Sequence, residues 1–187
     1  MLLKRAKSIT FPLADKEALA EFTAGDVVSI SGWILCGRDA THRKILSQLG
    51  RDFFLDFSGQ LIYYVGPTPA PPGRVIGSCG PTTSSRLDPF LEPLLKLGLS
   101  ATMGKGKRSI RARELMKEYK AVYLATFGGA GAYLSQFVEK MELLAFPELG
   151  PEALFRLKVK NFPAIVINDV RGGDFYEEVS STANLPA

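Results

Sequence analysis

Short apolar runs of strand length alternate along this chain with segments in which apolar residues have helical spacing. Residues 26–36 are rich in β-branched side chains and indicate a strand or a bent strand pair. Residues 39–49 follow directly and have the spacing of a helix. Because such alternation is typical of α/β proteins, it predicts an α/β fold with a mixed sheet. At 187 residues the chain is long enough for one well-buried domain, and we expect 1–187 to form it.

The same two patterns predict the remaining elements. Further strands are expected at 8–13, 61–65, 99–103, 121–126, 143–145, 155–159 and 164–170, and helices at 15–22, 110–119 and 130–141. Another helix should begin at Gly80-Pro81-Thr82 and run to about Leu97, since proline suits a first helical turn. Residues 67–73 predict a stiff proline-rich loop, and residues 180–187 predict a loose tail.

Membrane and secretory signals are not apparent in the sequence. No run reaches about 18 consecutive apolar residues, which a membrane-spanning helix needs. The start, Met1-Leu2-Leu3-Lys4-Arg5, has its charges in the wrong order for a secretory signal. We therefore expect no membrane contact and a cytoplasmic location.

Metal-ligating side chains are few. The two cysteines, Cys36 and Cys79, are too few for a disulfide scaffold and for a metal cluster, which takes three or four thiolates. His42 is the single histidine, so a self-contained zinc site is not expected either. We predict that both cysteines are buried, reduced thiols.

The net charge of +4 favours anionic partners. A nucleic-acid-binding domain normally has a denser basic stripe or a recognisable module. The sequence contains neither, so we expect no nucleic-acid partner. Small anionic substrates remain open.

Three joints between a predicted strand and a predicted helix carry residues suited to an anion. The first is residues 36–42, where Arg38 precedes a helix whose amides and dipole attract anions. Its planar guanidinium suits a carboxylate in a bidentate contact. Asp39 is predicted to cap the helix, and His42 lies on the same helical face. The alternative is that Arg38 is exposed and His42 only binds a backbone group.

The second joint is residues 77–88, in which four consecutive hydroxyl residues follow Gly80-Pro81. Thr82 and Arg86 are four residues apart, so they share a face if the helix begins at once. With free helix amides they would form an oxyanion pocket, with Thr83 beside them. The alternative is an ordinary cluster of helix-capping hydroxyls.

The third joint is residues 103–109, where glycines on both sides of Lys105 let the backbone approach a ligand. It lacks the spacing of a Walker A loop. Residues 128–131 lack the third glycine of a dinucleotide fingerprint, because Leu134 takes that position. The charges that follow Lys105 are predicted to form a solvated helix face: Lys107, Arg108, Arg111 and Arg113.

Arg38, Arg86 and Lys105 together bring three positive charges to three comparable joints, which matches a small dianion such as a dicarboxylate. No Glu or second His lies near these motifs to act as a general base, and one histidine supports no Ser-His-Asp arrangement. The sequence therefore predicts half of a site.

At these joints the chain resembles one family, the β subunit or C-terminal domain of class I fumarases and L-tartrate dehydratases. The matching motifs occur in order over nearly the whole chain: residues 37–42, 66–69, 80–83, 86–88, 104–109, 128–130, 146–153 and 165–169. The resemblance implies a "swivelling" β/β/α three-layer domain. It also implies an α partner whose three cysteines hold a four-iron four-sulfur cluster, in an α2β2 assembly. The open iron of that cluster would be a Lewis acid toward the departing hydroxyl.

For this chain the resemblance implies that Thr82 is the catalytic base and that Arg38, Arg86 and Lys105 bind the substrate carboxylates. Asp39, His42 and Thr83 would support them, with no metal bound by this chain. Fumarate or malate and tartrate are all open as substrates. Two alternatives remain: a small-anion binding module without chemistry, and a weak nucleic-acid binder that uses residues 105–113.

Overall fold

The computed structural model of the chain describes residues 6–51 and 55–183. Within these ranges it contains seven strands in one sheet and five α-helices. The strands are β1 (Lys7–Phe11), β2 (Val27–Cys36), β3 (Leu61–Tyr63), β4 (Ala101–Gly104), β5 (Val122–Ala125), β6 (Val138–Ala145) and β7 (Leu154–Asn168). The helices are α1 (Asp39–Gln48), α2 (Leu91–Lys96), α3 (Ile110–Glu118), α4 (Gly131–Leu134) and α5 (Phe175–Ala183), with 3₁₀ helices at Lys16–Glu21, Ser84–Phe90, Ser135–Phe137 and Pro147–Glu152. The prediction about a secretory signal at residues 1–5 lies outside the described residues.

Strands β1 to β5 lie side by side and parallel, whereas β7 runs antiparallel to β2, β5 and β6. Parallel neighbours need crossover connections, and α1, α2 and α3 lie in those that follow β2, β3 and β4. The predicted α/β fold with a mixed sheet is therefore confirmed.

Strand β7 closes the sheet into a partial barrel. Residues 165–168 of β7 pair with β5, and residues 155–165 pair with β2. The two ends of the run from β2 to β5 are thereby joined through one strand. The three-layer "swivelling" arrangement implied by the resemblance stays a prediction.

The parallel strands are buried on both faces. Leu61, Tyr63 and Val65 belong to the core cluster that also contains β1, β2 and β7 side chains. Ile62 and Tyr64 belong to a second cluster under α1, α2 and α3. Such double burial explains why these strands are almost continuously apolar in the sequence.

The predicted helix at 130–141 is wrong in its second half. Helix α4 ends at Leu134, a 3₁₀ helix follows, and Val138 begins β6. The apolar side chains of this stretch have helical spacing, but backbone pairing with β7, beginning at Val138 and Val159, decides the structure. Local periodicity is overridden here by a long-range ladder.

The two strands predicted at 155–159 and 164–170 form one strand, β7. Between the two predicted ranges the chain continues through an irregularity in the ladder with β2. Asn161 takes a left-handed conformation with φ of 55°, and its N–H donates to Oγ of Ser31 at 3.1 Å. The bulge bends β7 without ending it, as such irregularities do.

The predicted loose tail begins inside a helix, because α5 continues through Ala183. Residues 184–187 lie outside the described residues. None of the helices in the described part of the chain is long and apolar enough to cross a membrane.

Candidate active site

The carboxyl ends of β2, β3 and β4 meet at one edge of the sheet, and the loops leaving them carry the predicted site residues. Arg38 lies just beyond β2, Gly66 just beyond β3, and Lys105 directly follows β4. In α/β proteins with open sheets and in those with barrels, ligands bind outside the carboxyl ends of the parallel strands. The observed positions therefore fit a binding site at this edge.

Arg38 is the N-cap residue of α1. Its backbone N–H donates to Oγ1 of Thr41 at 2.9 Å. Its Nη2 lies 3.8 Å from Oε1 of Glu152, and 31% of its side chain is exposed. The guanidinium is thus held at the surface beside a carboxylate.

Arg86 and Asp39 link the first two joints. Nη2 of Arg86 donates to Oδ2 of Asp39 at 3.1 Å. The prediction that Asp39 caps the helix is wrong, because Arg38 occupies the N-cap position and Asp39 is the first helical residue. The carboxylate of Asp39 is therefore turned toward Arg86.

Thr82 and Lys105 lie in adjacent extended segments that continue the sheet. The N–H of Thr82 donates to the carbonyl of Tyr64 at 2.8 Å, and the N–H of Lys105 donates to the carbonyl of Thr82 at 3.1 Å. The N–H of Ser84 donates back to the carbonyl of Lys105 at 2.9 Å, and Thr83 forms a parallel bridge with Lys105. This ladder fixes the backbone of both predicted functional residues.

The helix of the second joint begins at Ser84 and not at Gly80-Pro81-Thr82. The backbone groups of Thr82 already serve the ladder with Tyr64 and Lys105, so they are not available for a helical turn. Thr82 and Arg86 consequently do not share one helical face as predicted. Thr82 lies in a strand-like segment, and Arg86 lies in the 3₁₀ helix that follows it.

Lys105 is exposed and takes part in no ion pair with the described residues. The residue before it, Gly104, allows the end of β4 to pass close to Ser84, because a Cβ atom on Gly104 would overlap Oγ of Ser84. A Cβ atom on Gly128 would lie 3.4 Å from Cδ of Lys105, so the loop after β5 borders this side chain. Lys105 is therefore the cation of the three that forms no ion pair with a described carboxylate.

The electrostatic balance of the site differs from a simple cluster of three cations. Glu152 lies beside Arg38, and Asp39 pairs with Arg86. Such partly exposed ion pairs contribute little, typically about 0–1 kcal/mol. A dianion can replace Asp39 at Arg86, and it can bind Arg38 beside Glu152, whose distance of 3.8 Å from Nη2 is longer than a hydrogen bond.

Arg108 was predicted to lie on a solvated helix face, and this is wrong. Its side chain is completely buried and its Nε donates to Oδ1 of Asp88 at 2.5 Å. Its guanidinium also lies over the rings of Tyr64 and Tyr123, 5.5 and 5.0 Å from their centroids. Only its partner Asp88, twenty residues earlier, could have signalled this. Arg108 anchors the Lys105 loop against the 3₁₀ helix that carries Arg86.

His42 is buried beneath the first joint. Its Nδ1 lies 2.7 Å from the carbonyl of Arg38, so Nδ1 is the protonated nitrogen of the neutral ring. Its ring packs edge-on against Tyr64 at 5.4 Å. Burial lowers the pKa of His42 to about 4. His42 is therefore neutral near pH 7 and supports the backbone of Arg38 instead of transferring protons.

The pKa of His42 leads to a test of stability against pH. An unfolded chain takes up a proton on His42 near pH 6.5, whereas the folded chain does so only near pH 4. Acidification from pH 7 to pH 5 should therefore lower the free energy of unfolding by about 2 kcal/mol through this residue. Urea unfolding of the wild type and of His42→Gln at both pH values measures it. Equal pH slopes in the two proteins would contradict the expectation.

The metal-ligating potential of the described residues is low. No group of three or more His, Cys, Asp or Glu side chains among them could hold a metal ion. Cys36 and Cys79 are both buried and free, and burial raises the pKa of the Cys79 thiol to about 12. Two protonated, enclosed thiols do not fit an iron–sulfur cluster.

Several known proteins have sequences similar to that of this chain. The aerobic class I fumarate hydratase of Salmonella typhimurium is 34% identical over 170 residues, which is 89% of this chain and 29% of that protein. The anaerobic class I enzyme of Escherichia coli is 36% identical over 171 residues, with 88% and 31% covered. A protein of Methanocaldococcus jannaschii named for L(+)-tartrate dehydratase subunit beta is 37% identical over 179 residues, with 91% and 92% covered.

The chain thus spans roughly a third of the fumarate hydratases that it matches and almost all of the subunit beta relative. The protein family described as "Fumarase C-terminus" matches residues 4–179. This match covers the strands, the three joints and most of the helices. The chain belongs to the fumarase C-terminus family.

Proposed function

We propose that this chain supplies one half of a hydro-lyase active site for a small hydroxy-dicarboxylate, either malate with fumarate or tartrate. The observation that carries the proposal is the backbone ladder that holds Thr82 beside Lys105, at the strand edge where Arg38 also lies. The names of the relatives, fumarate hydratase and tartrate dehydratase, supply the reaction class.

Arg38, Arg86 and Lys105 would bind the two substrate carboxylates. A guanidinium holds a carboxylate by two parallel hydrogen bonds, whereas the ammonium of Lys105 acts as a point charge. One substrate carboxylate would replace Asp39 at Arg86, and the other would lie between Arg38 and Lys105. The spacing of the two carboxylates would then fix the carbon next to one of them near Thr82.

Thr82 would remove the proton from that carbon. A hydroxyl is a poor base unless its alkoxide is stabilised, and nearby cations favour the charged form. Thr82 is half-buried, and among the described residues its hydroxyl has no hydrogen-bond partner. Lys105 and the two arginines would also stabilise the enolate-like charge that forms as the proton leaves.

An α partner would hold the four-iron four-sulfur cluster, since the donor set of this chain does not fit one. When bound in the partner, such a cluster supplies a Lewis acid for the departing hydroxyl. In this proposal the partner corresponds to the two thirds of class I fumarate hydratases that this chain does not cover, and the complex is an α2β2 assembly.

The alternative of a nucleic-acid binder is weakened, because three of the basic residues at 105–113 are buried or form ion pairs. Arg108 is buried, Arg111 pairs with Glu92, and Arg113 pairs with Asp174. Two exposed lysines in the Lys105 loop make a small basic surface for a polyanion.

Activity should require two proteins. We expect malate or tartrate dehydration only when this chain is combined, without oxygen, with the protein of the same genome that resembles the N-terminal two thirds of class I fumarate hydratases. The ultraviolet absorbance of fumarate, or a carbonyl assay for the tartrate product, measures turnover. Each protein alone serves as the control. Substrate binding by this chain with no turnover in the mixture would instead favour the binding-module alternative.

A further inference from the structure

The segment Pro147–Glu152, between β6 and β7, packs against the first turn of α1. The N–H of Ala40 donates to Oε2 of Glu152 at 2.9 Å. The hydroxyl of Thr41 donates to the backbone carbonyl of Glu152 at 2.5 Å. One acidic residue, more than a hundred positions away in sequence, is thus bonded to both residues that follow Asp39.

The side chain of Arg38 lies between this segment and the end of β3. A Cβ atom at Gly66 would be 2.8 Å from Cδ of Arg38 and 3.2 Å from the carbonyl of Pro151. The aliphatic part of Arg38 therefore fills a narrow space that only glycine leaves open. Within the described part of the chain, its buried Nε has no hydrogen-bond partner.

Glu152 is the charged group that faces Arg38 from this side. Its Oε1 lies 3.8 Å from Nη2 of Arg38, which is longer than a hydrogen bond. The carboxylate therefore attracts the guanidinium without occupying its donors, while its second oxygen is bonded to Ala40. The carboxylate thus holds the guanidinium from one side, and the N–H groups on its Nη atoms stay available for a ligand.

We propose that Glu152 is a positioning residue that fixes the direction of Arg38 for the substrate carboxylate. This inference rests on the proposed function, because it assigns Arg38 a substrate contact. The same geometry allows a second role, in which the carboxylate of Glu152 competes with the substrate carboxylate for Arg38. The hydrogen bond to Ala40 and the long distance to Nη2 favour positioning.

The two roles predict opposite changes in KM for Glu152→Gln. If Glu152 positions Arg38, loss of their partly exposed ion pair should raise KM about fivefold and change kcat less. Steady-state kinetics of the two-protein enzyme measure both constants. A lower KM would establish competition and overturn the proposal, as would an unchanged KM. Glu148→Gln is the matched control. Glu148 lies in the same segment as Glu152 and pairs with Lys44 of α1 at 3.3 Å, but it does not face Arg38.

A double-mutant cycle separates positioning from a general structural effect. In an Arg38→Ala background, Glu152→Gln should have no further effect on KM, because the side chain that it directs is gone. Equal effects in both backgrounds would mean that Glu152 only stabilises the fold, and would overturn the proposal.

The chain by itself provides a readout that does not depend on activity. Hydrogen exchange of the Arg38 Nε–H, followed by NMR, should become about fivefold faster in Glu152→Gln and stay unchanged in Glu148→Gln. Unchanged exchange in Glu152→Gln overturns the positioning role even if the enzyme is active. Faster exchange without turnover in the wild-type mixture supports positioning of Arg38 and refutes only the proposed reaction.

Discussion

Replacing Thr82 by alanine should lower turnover by about 10³-fold while the complex with the α partner still forms. A positioned acid or base contributes about 10²- to 10⁴-fold to a rate, and among the described residues the hydroxyl of Thr82 has no hydrogen-bond partner. The backbone of Thr82 is fixed through its N–H and its carbonyl. Alanine preserves both bonds, so the ladder with Tyr64 and Lys105 should remain.

Steady-state kinetics and gel filtration of the two-protein complex measure the two expectations. Thr82→Ser keeps a hydroxyl and should retain part of the activity. Ser85→Ala is the control, because this exposed hydroxyl lies three positions away on the 3₁₀ helix and should leave kcat near the wild-type value. Near-normal turnover of Thr82→Ala would show that another group removes the proton.

The sequence predicts the strands better than their connections in space. The carboxyl-edge site follows from local patterns, because each joint directly succeeds an apolar run that becomes a parallel strand. The helix predicted through Val138 fails because residues of β7, about twenty positions later, pair with this segment. Spacing along the chain contains no information about that partner.

The same limit applies to the candidate site, because local sequence patterns reveal some of its residues and give no sign of the long-range partners of the others. Glycines and cations at the joints point to Arg38, Arg86 and Lys105 as candidate binding residues. Glu152 lies in a matched motif, yet its partner Ala40 is 112 residues away, and no local rule connects them. The prediction for Arg108 fails because arginine in a basic run is usually exposed, whereas its burial depends on a carboxylate in the 3₁₀ helix Ser84–Phe90.

Replacing Arg108 by leucine should lower the free energy of unfolding by about 3 kcal/mol. The side chain of Asp88, only 10% exposed, would lose the partner that lies 2.5 Å away. It would keep the N–H of Ser109 at 2.8 Å, which does not neutralise its charge. The rings of Tyr64 and Tyr123 would also lose the cation between them. Urea unfolding followed by circular dichroism measures the change.

Arg111→Leu is the matched control, because the side chain of Arg111 is 62% exposed and pairs with Glu92 and Glu114 at 3.4 and 3.9 Å. Such exposed pairs contribute less than about 1 kcal/mol, so this variant should remain close to the wild type. Adding Asp88→Asn to Arg108→Leu removes the uncompensated charge and should recover part of the loss. Equal stability of the two leucine variants would mean that the buried pair is not what holds the Lys105 loop against the helix of Arg86.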